Sequence, residues 1–300
     1  MPAGNEESDR TEPHEAFHLF GHRLRLEIVL ALSEAEDFSL TFAELQSEVD
    51  ERDSGKFSYH LSKLEGLFIE KVDDNYVLKH PGHRVIDASS GAFQDSPDIG
   101  PLEVAGTCPD CGGTPVFSYD DHIGTVACGS CGTKLVEYPI DPGAFYDRPA
   151  DGGIDAFDRW VTATWRMASD GICFACAGQV DVSFTTTAEG PEYTDRYQNF
   201  FASDHPALLE LDCQNCSFYS YIPASARLID SPAVIRAVDK DVIDLRDSRI
   251  WELPFIIDGS HVDVLDTDPW EVLVHVPASD GSIEVRLDED VSIAAVIERL

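Results

Sequence analysis

Eight cysteines, all beyond Thr107, stand in four Cys-x-x-Cys pairs: Cys108/Cys111, Cys128/Cys131, Cys173/Cys176 and Cys213/Cys216. Two intervening residues let a tight turn aim both thiolates at one ion, and a second such turn completes a tetrahedral sulfur shell, which favours Zn²⁺. Outside an oxidising compartment such spacing reads as metal binding, not as a disulfide framework. The first two pairs are 16 residues apart, inside the range of zinc ribbons. Cys176 and Cys213 are 36 residues apart, so a redox thiol pair of thioredoxin type or an iron–sulfur cluster stays open as an alternative for the second set. Four thiolates saturate zinc and leave no open position for catalysis. The expectation is two structural zinc ions per chain, substituting for a core that such short segments lack.

His14-Glu15-Ala16-Phe17-His18 spells the His-Glu-x-x-His signature of zinc metalloproteases. That chemistry needs a third protein ligand and a water position. The extended motif wants His three residues past Gly21, where Leu24 stands. Phe17, Phe20 and Leu24 already account for the segment as a core helix, so no enzyme is expected.

The elements around the cysteines follow from periodicity. Val116–Tyr119 and Gly124–Ala127 flank Asp120-Asp121-His122 and read as two strands, with Gly112 and Gly132 following their knuckles where a positive φ is cheap. Val180–Phe184 leaves the third knuckle and Leu208–Leu211 returns to the fourth, with a long excursion carrying Tyr193, Tyr197, Phe200 and Phe201 between them. Residues 152–170 form an amphipathic helix joining the two ribbons, or, alternatively, a dimer contact. Ser231-Pro232 opens a further helix. Beyond it Trp270, Val272, Val274 and Val276 alternate, Ser279-Asp280-Gly281 turns, and Ile283, Val285 and Leu287 line the next strand, making a small antiparallel sheet with residues 261–266.

Upstream, Phe17, Phe20, Leu24, Ile28 and Leu32 recur at helical spacing. After a turn at residues 37–40, Thr41 and Glu44 spell a capping box for a short helix with Phe42, Leu45 and Val49. A third helix spans residues 54–68 with Phe57, Leu61, Leu64 and Phe68 inward, followed by a hairpin around Asp73-Asp74-Asn75 and a fourth helix over residues 82–88. Three helices and a hairpin are the order of a winged helix-turn-helix. The run Ser54-Gly55-Lys56-Phe57-Ser58-Tyr59-His60-Leu61-Ser62-Lys63-Leu64 resembles the recognition helix of ArsR-type regulators, and Phe20–Ile28 is similar to that family's first helix. With the cysteine pairs, the chain resembles haloarchaeal ArsR-like regulators with zinc-ribbon extensions. The metal-sensing members carry cysteines in the helix-turn-helix itself; this chain has none there.

Twenty-one Lys and Arg face 56 Asp and Glu, a net charge of −35. Uniform acidity of this size resembles proteins of halophilic archaea, where molar salt screens the self-repulsion. Between Arg52 and Arg84, however, six bases meet five acids, so the third helix and hairpin form a near-neutral island. Lys56, Ser58, Tyr59 and Lys63 would face a major groove, Lys71 and Lys79 the phosphate backbone, and His60 would pack between helices. The resemblance implies sequence-specific double-stranded DNA binding by a homodimeric transcriptional regulator; an adaptor on the transcription machinery is the alternative.

The expected fold class is α+β, a winged helix-turn-helix followed by two zinc ribbons and a small C-terminal antiparallel sheet. Its divisions are an acidic disordered tail (1–14), the winged helix-turn-helix (15–94), a linker (95–106), the first ribbon (107–148), the connecting helix (152–170), the second ribbon (171–226) and the C-terminal helix and sheet (227–300). The acidic N-terminus lacks a signal peptide's apolar core and no run is apolar enough to span a bilayer, so a soluble cytoplasmic protein is expected.

Overall fold

The computed structural model describes residues 14, 18–92, 95–186, 205–238, 244–245, 247–278 and 281–299. Tail residues 1–13, Glu15, the aromatics Tyr193, Tyr197, Phe200 and Phe201, and the Ser279-Asp280 turn lie outside them. The chain divides into two units, Met1–Gln94 and Asp95–Leu300. The fold is mixed α+β with small antiparallel sheets, and among the described residues no helix is long and apolar enough to cross a membrane.

In the first unit, α1 (Arg23–Glu34) buries Leu24, Ile28, Val29 and Leu32. Helix α2 (Phe42–Glu48) starts at the capping box read from sequence: Glu44 N–H donates to Thr41 Oγ1 at 3.3 Å and Thr41 N–H to Glu44 Oε2 at 2.9 Å. Helix α3 (Ser54–Ser62) is capped by Asp53 Oδ1, which accepts from the N–H groups of Gly55 and Lys56 at 2.9 and 3.0 Å. It is shorter than the periodicity suggests, because Lys63–Phe68 goes on as turns that still deliver Leu64 and Phe68 to the core. Strands β2 (Ile69–Val72) and β3 (Asn75–Leu78) make the hairpin. A third strand, β1 (Ser39–Thr41), pairs with β3 and was not legible as more than a turn, since three residues are too few to show alternation. Helix α4 (His80–Ala92) rests Val85 and Ile86 on the same core. Each fully buried Leu, Ile or Phe there contributes about 1.5–3 kcal/mol of burial free energy.

The described residues of the second unit form three sheets. β4 (Ile99–Glu103), β5 (Pro115–Asp120), β6 (Ile123–Cys128) and β7 (Lys134–Pro139) pair in chain order. β8 (Val180–Thr185), β9 (Leu208–Cys213) and β10 (Tyr219–Pro223) form the second, and β11 (Val262–Thr267), β12 (Trp270–Ala278), β13 (Gly281–Leu287) and β14 (Ile293–Arg299) the third. Helix α5 (Ala150–Ser169) buries Ile154, Phe157, Val161, Trp165 and Ala168, all on one face. Phe157 meets the Phe117 ring of the first sheet at 5.3 Å, and the same helix packs on β8 and β9. The short helices α6 (Pro232–Ala237), capped by Ser231, and α7 (Pro254–Ile257) lead into the last sheet.

Two sequence expectations are corrected here. Residues 95–106 are not a free linker: Ile99 pairs with Tyr119 and Leu102 with Phe117, making β4 an edge strand of the first sheet. Its Gly and Pro content marks a bulge, where a Cβ on Gly100 (φ +101°) would sit 2.4 Å from the Phe117 carbonyl oxygen. Nor do the cysteine-bearing segments lack a core. One continuous apolar cluster runs from Val104 to Val291 through all three sheets and α5, so these segments share a core besides their cysteine knuckles.

Candidate metal centres and nucleic-acid interface

Each cysteine quartet converges. The Sγ atoms of Cys108, Cys111, Cys128 and Cys131 lie within 4.8 Å of one another, as do those of Cys173, Cys176, Cys213 and Cys216. The sulfur–sulfur distances are 3.7 Å for Cys108–Cys131 and 3.4 Å for both Cys111–Cys128 and Cys111–Cys131. In the second quartet Cys173–Cys216 and Cys176–Cys213 are each 3.6 Å apart. A disulfide needs about 2.05 Å, whereas a tetrahedron with metal–sulfur bonds of about 2.3 Å has edges of about 3.8 Å. The distances fit four ligands around one ion.

The knuckles are tight turns built alike. Cys108 N–H donates to Gly113 O at 2.9 Å and Gly112 N–H to Cys108 O at 2.9 Å; Cys128 N–H donates to Thr133 O at 2.7 Å and Gly132 N–H to Cys128 O at 2.9 Å. Gly112 and Gly132 take φ of 72° and 79°. The third knuckle repeats the pattern, with Ala177 N–H on Cys173 O at 2.8 Å, but there the positive φ, 57°, falls on an alanine. Backbone N–H groups also point at sulfur: Ser130 to Cys128, Gly178 to Cys176 and Asn215 to Cys213, at 3.4, 3.3 and 3.4 Å.

These donors make the thiols within each quartet unequal in acidity. N–H groups of Cys131 and Ser130 draw the Cys128 thiol down to about 6, and Asn215 followed by the Gly178 N–H draws Cys176 to about 6. Cys111 receives the Gly113 N–H, yet the sulfurs of Cys131 and Cys128 outweigh it and push it up to about 12. Four neighbouring thiols cannot all ionise alone. A cation among them removes the conflict.

In the first unit, Lys56, Ser58, Tyr59 and Lys63 are all exposed, Tyr59 at 58%. Their helix is held from behind by Phe57, Leu61 and, just past its end, Leu64, each at most 1% exposed. Lys63 Nζ lies 5.5 Å from the Tyr59 ring centre and Lys71 Nζ 5.5 Å from that of Tyr76. Two of the sequence-derived lysines are engaged within the unit. Lys56 Nζ is 2.6 Å from Glu51 Oε2, and Lys79 Nζ donates to the Gly66 carbonyl. Neither partner was legible beforehand, because each depends on how turns fold back. His60 is buried, its ring 3.9 Å from that of His22, the α1 N-cap; burial, then the neighbouring His22, lowers its pKa. Arg52, beside the cap of α3, is a further exposed cation. Exposed Glu65, Glu70, Asp73 and Asp74 surround the helix end and hairpin. A cleft between α1 and α2 is lined by Glu27, Glu34, Glu48 and Asp50, with Arg23 as its one cation, 2.6 Å from Glu27, so its lining is net acidic. Of the His-Glu-x-x-His run, His14 and His18 are exposed and Glu15 lies outside the described residues.

Residues 105–293 match a domain of unknown function, DUF7351. The chain belongs to the DUF7351 family. Both quartets and all three sheets, except β4 and all of β14 past Ile293, fall within that match. A second domain of unknown function, DUF7347, matches residues 13–89, which covers α1 to most of α4 in the first unit. No curated protein and no solved structure matches this DUF7351 chain.

Proposed function

We propose that this protein is a sequence-specific DNA-binding transcriptional regulator, with an ArsR-like winged helix-turn-helix in residues 15–94 and two structural zinc ribbons. The observation that carries the reading is the two-sidedness of α3: Phe57 and Leu61 enter the core while Ser58, Tyr59 and Lys63 are exposed, and the β2–β3 hairpin follows the helix in the chain. A helix anchored this way and flanked by a wing suits entry into a major groove, where short polar and aromatic side chains reach base edges. The protein binds as a homodimer on two-fold half-sites.

Zinc is the metal of choice for both quartets, since four convergent thiolates at tetrahedral spacing are its preferred shell. With every position filled by sulfur, the ions hold knuckles in place and perform no catalysis. The acidic residues around α3 favour a second reading, an adaptor that docks on a basic partner of the transcription machinery. Selection from a random duplex pool in molar KCl separates the two: enrichment of one motif supports the regulator, and a pool that emerges unselected leaves the adaptor.

A further inference from the structure

Helix α5 faces the core with one side, and along its other side runs a cavity of about 580 Å³, a size typical of small-molecule sites. Its apolar wall is built by Met167, Ile172, Ile229, Leu245, Ile250 and Leu253. Met167 and Ile172 are 39% and 47% exposed, so this wall opens to solvent.

The charged groups lining the cavity fall into two kinds. Arg166 is committed to Asp230 at 2.9 Å, and Asp170 to Arg227 at 2.7 Å. Arg159 and Asp158 are not so committed. Among the described residues the exposed Arg159 guanidinium has no hydrogen-bond or ion-pair partner. Among the described residues Asp158 uses only Oδ1, which accepts the Ile250 N–H at 2.7 Å, and its second oxygen has no partner there. The two neighbours do not pair with each other; a cation and an anion stand apart at the rim of an apolar slot, with the Thr162 and Ser248 side chains on the same lining.

We propose that this cavity binds a zwitterionic α-amino acid with an apolar side chain, its carboxylate on Arg159, its ammonium on the second oxygen of Asp158 and its side chain against Met167, Ile172 and Leu253. A plain carboxylate would meet the Asp158 charge and a plain amine the Arg159 charge; a molecule carrying both groups satisfies both. Burial raises the Asp158 pKa to about 6, and an ammonium partner offsets that cost of holding the carboxylate ionised. The inference goes beyond the proposed DNA binding and does not rest on it.

Calorimetric titration of the full zinc-loaded chain in molar KCl tests it with three probes: L-leucine, isocaproate, which lacks the ammonium, and isoamylamine, which lacks the carboxylate. L-leucine saturates the protein, and each fragment binds roughly tenfold more weakly or worse, the scale of one charge-assisted hydrogen bond. Arg159→Ala lowers L-leucine affinity by a similar factor with metal content unchanged, and Ala163→Trp, which fills the slot one helical turn past Arg159, abolishes binding in a folded chain. Arg159→Ala is the deciding variant because its guanidinium makes no hydrogen bond or ion pair among the described residues. No saturation by L-leucine, a fragment that binds as tightly, or parent affinity in Arg159→Ala overturns the proposal.

Discussion

The Lys56 ammonium lies 2.6 Å from the Glu51 carboxylate, across the turn that enters α3. Each holds the other charged: the hydrogen bond to Lys56 lowers the Glu51 pKa, and the same bond raises that of Lys56. A lysine offered by the sequence as a DNA contact is thereby neutralised at short range. Glu51→Gln releases it. The expected outcome is DNA affinity raised by a few-fold on all sequences alike, with a salt slope steeper by about one phosphate contact. Fluorescence anisotropy across a KCl series measures both, and an unchanged slope would place Lys56 away from the DNA.

Tyr59 and Lys71 separate base reading from backbone holding. Tyr59→Ala is expected to weaken the selected site by about 1–3 kcal/mol, the value of one good base contact, and to leave random DNA unaffected. Lys71→Ala should weaken both equally. Competition binding with selected and scrambled duplexes distinguishes them; equal losses in Tyr59→Ala would reassign that ring to packing.

Two zinc ions per chain are expected by native mass spectrometry with elemental analysis, one on each cysteine quartet. Because the apolar cluster of the second unit continues through all three sheets, chelation should disorder the knuckles first and lower the melting temperature of that unit alone. The first unit contains no cysteine and should keep its transition. A chain that binds one ion removes the second site, and loss of both transitions together would show that the units do not melt independently.

Ala177 carries a φ of 57° at the position where Gly112 and Gly132 serve the first quartet. The left-handed conformation costs a residue with a Cβ about 1–2 kcal/mol, partly offset by glycine's larger unfolded-state entropy. Ala177→Gly should therefore stabilise the second unit by about 1 kcal/mol and slow zinc loss from the second quartet only. Urea unfolding with zinc release followed by a colorimetric chelator provides the test; a destabilised variant would contradict the strain argument.

Asp158 makes stability depend on pH in a defined direction. Burial raises its pKa from 3.8 to about 6 in the folded chain. Between those values the native state binds the extra proton, so this group's contribution declines as pH rises through the window and stays at its least favourable above it. Asp158→Asn keeps an oxygen for the Ile250 N–H and removes the charge. Its stability relative to the parent should grow from pH 4 to pH 7, a window set by the cited values. A difference that is flat across paired urea titrations would mean the carboxylate is solvated.

Much of this protein is local, and local features were legible. The Thr41–Glu44 capping box, the Ser231-Pro232 helix start and the Asp73-Asp74 turn each involve residues a few positions apart, so their spacing alone specifies the geometry. The same holds within each Cys-x-x-Cys knuckle. Pairing the knuckles across 16 and 36 residues was also legible, because a four-sulfur shell needs two pairs and the intervening strands supply the return path.

Only tertiary structure decided the rest. Residues 95–106 read as linker because Gly100 and Pro101 break periodicity, yet β5 offers an unpaired edge that a bulged strand can fill. The ribbons read as self-contained because no short segment displays the core it shares; that core exists only once α5 lays Phe157 on one sheet while its neighbours pack on another. Lys56 and Arg159 look alike in the sequence, both single cations on helices. Folding brings a carboxylate to one and leaves the other beside an open apolar wall. Local chemistry writes turns, caps and ligand pairs, whereas the charge state of a surface depends on which distant residues the fold places against it.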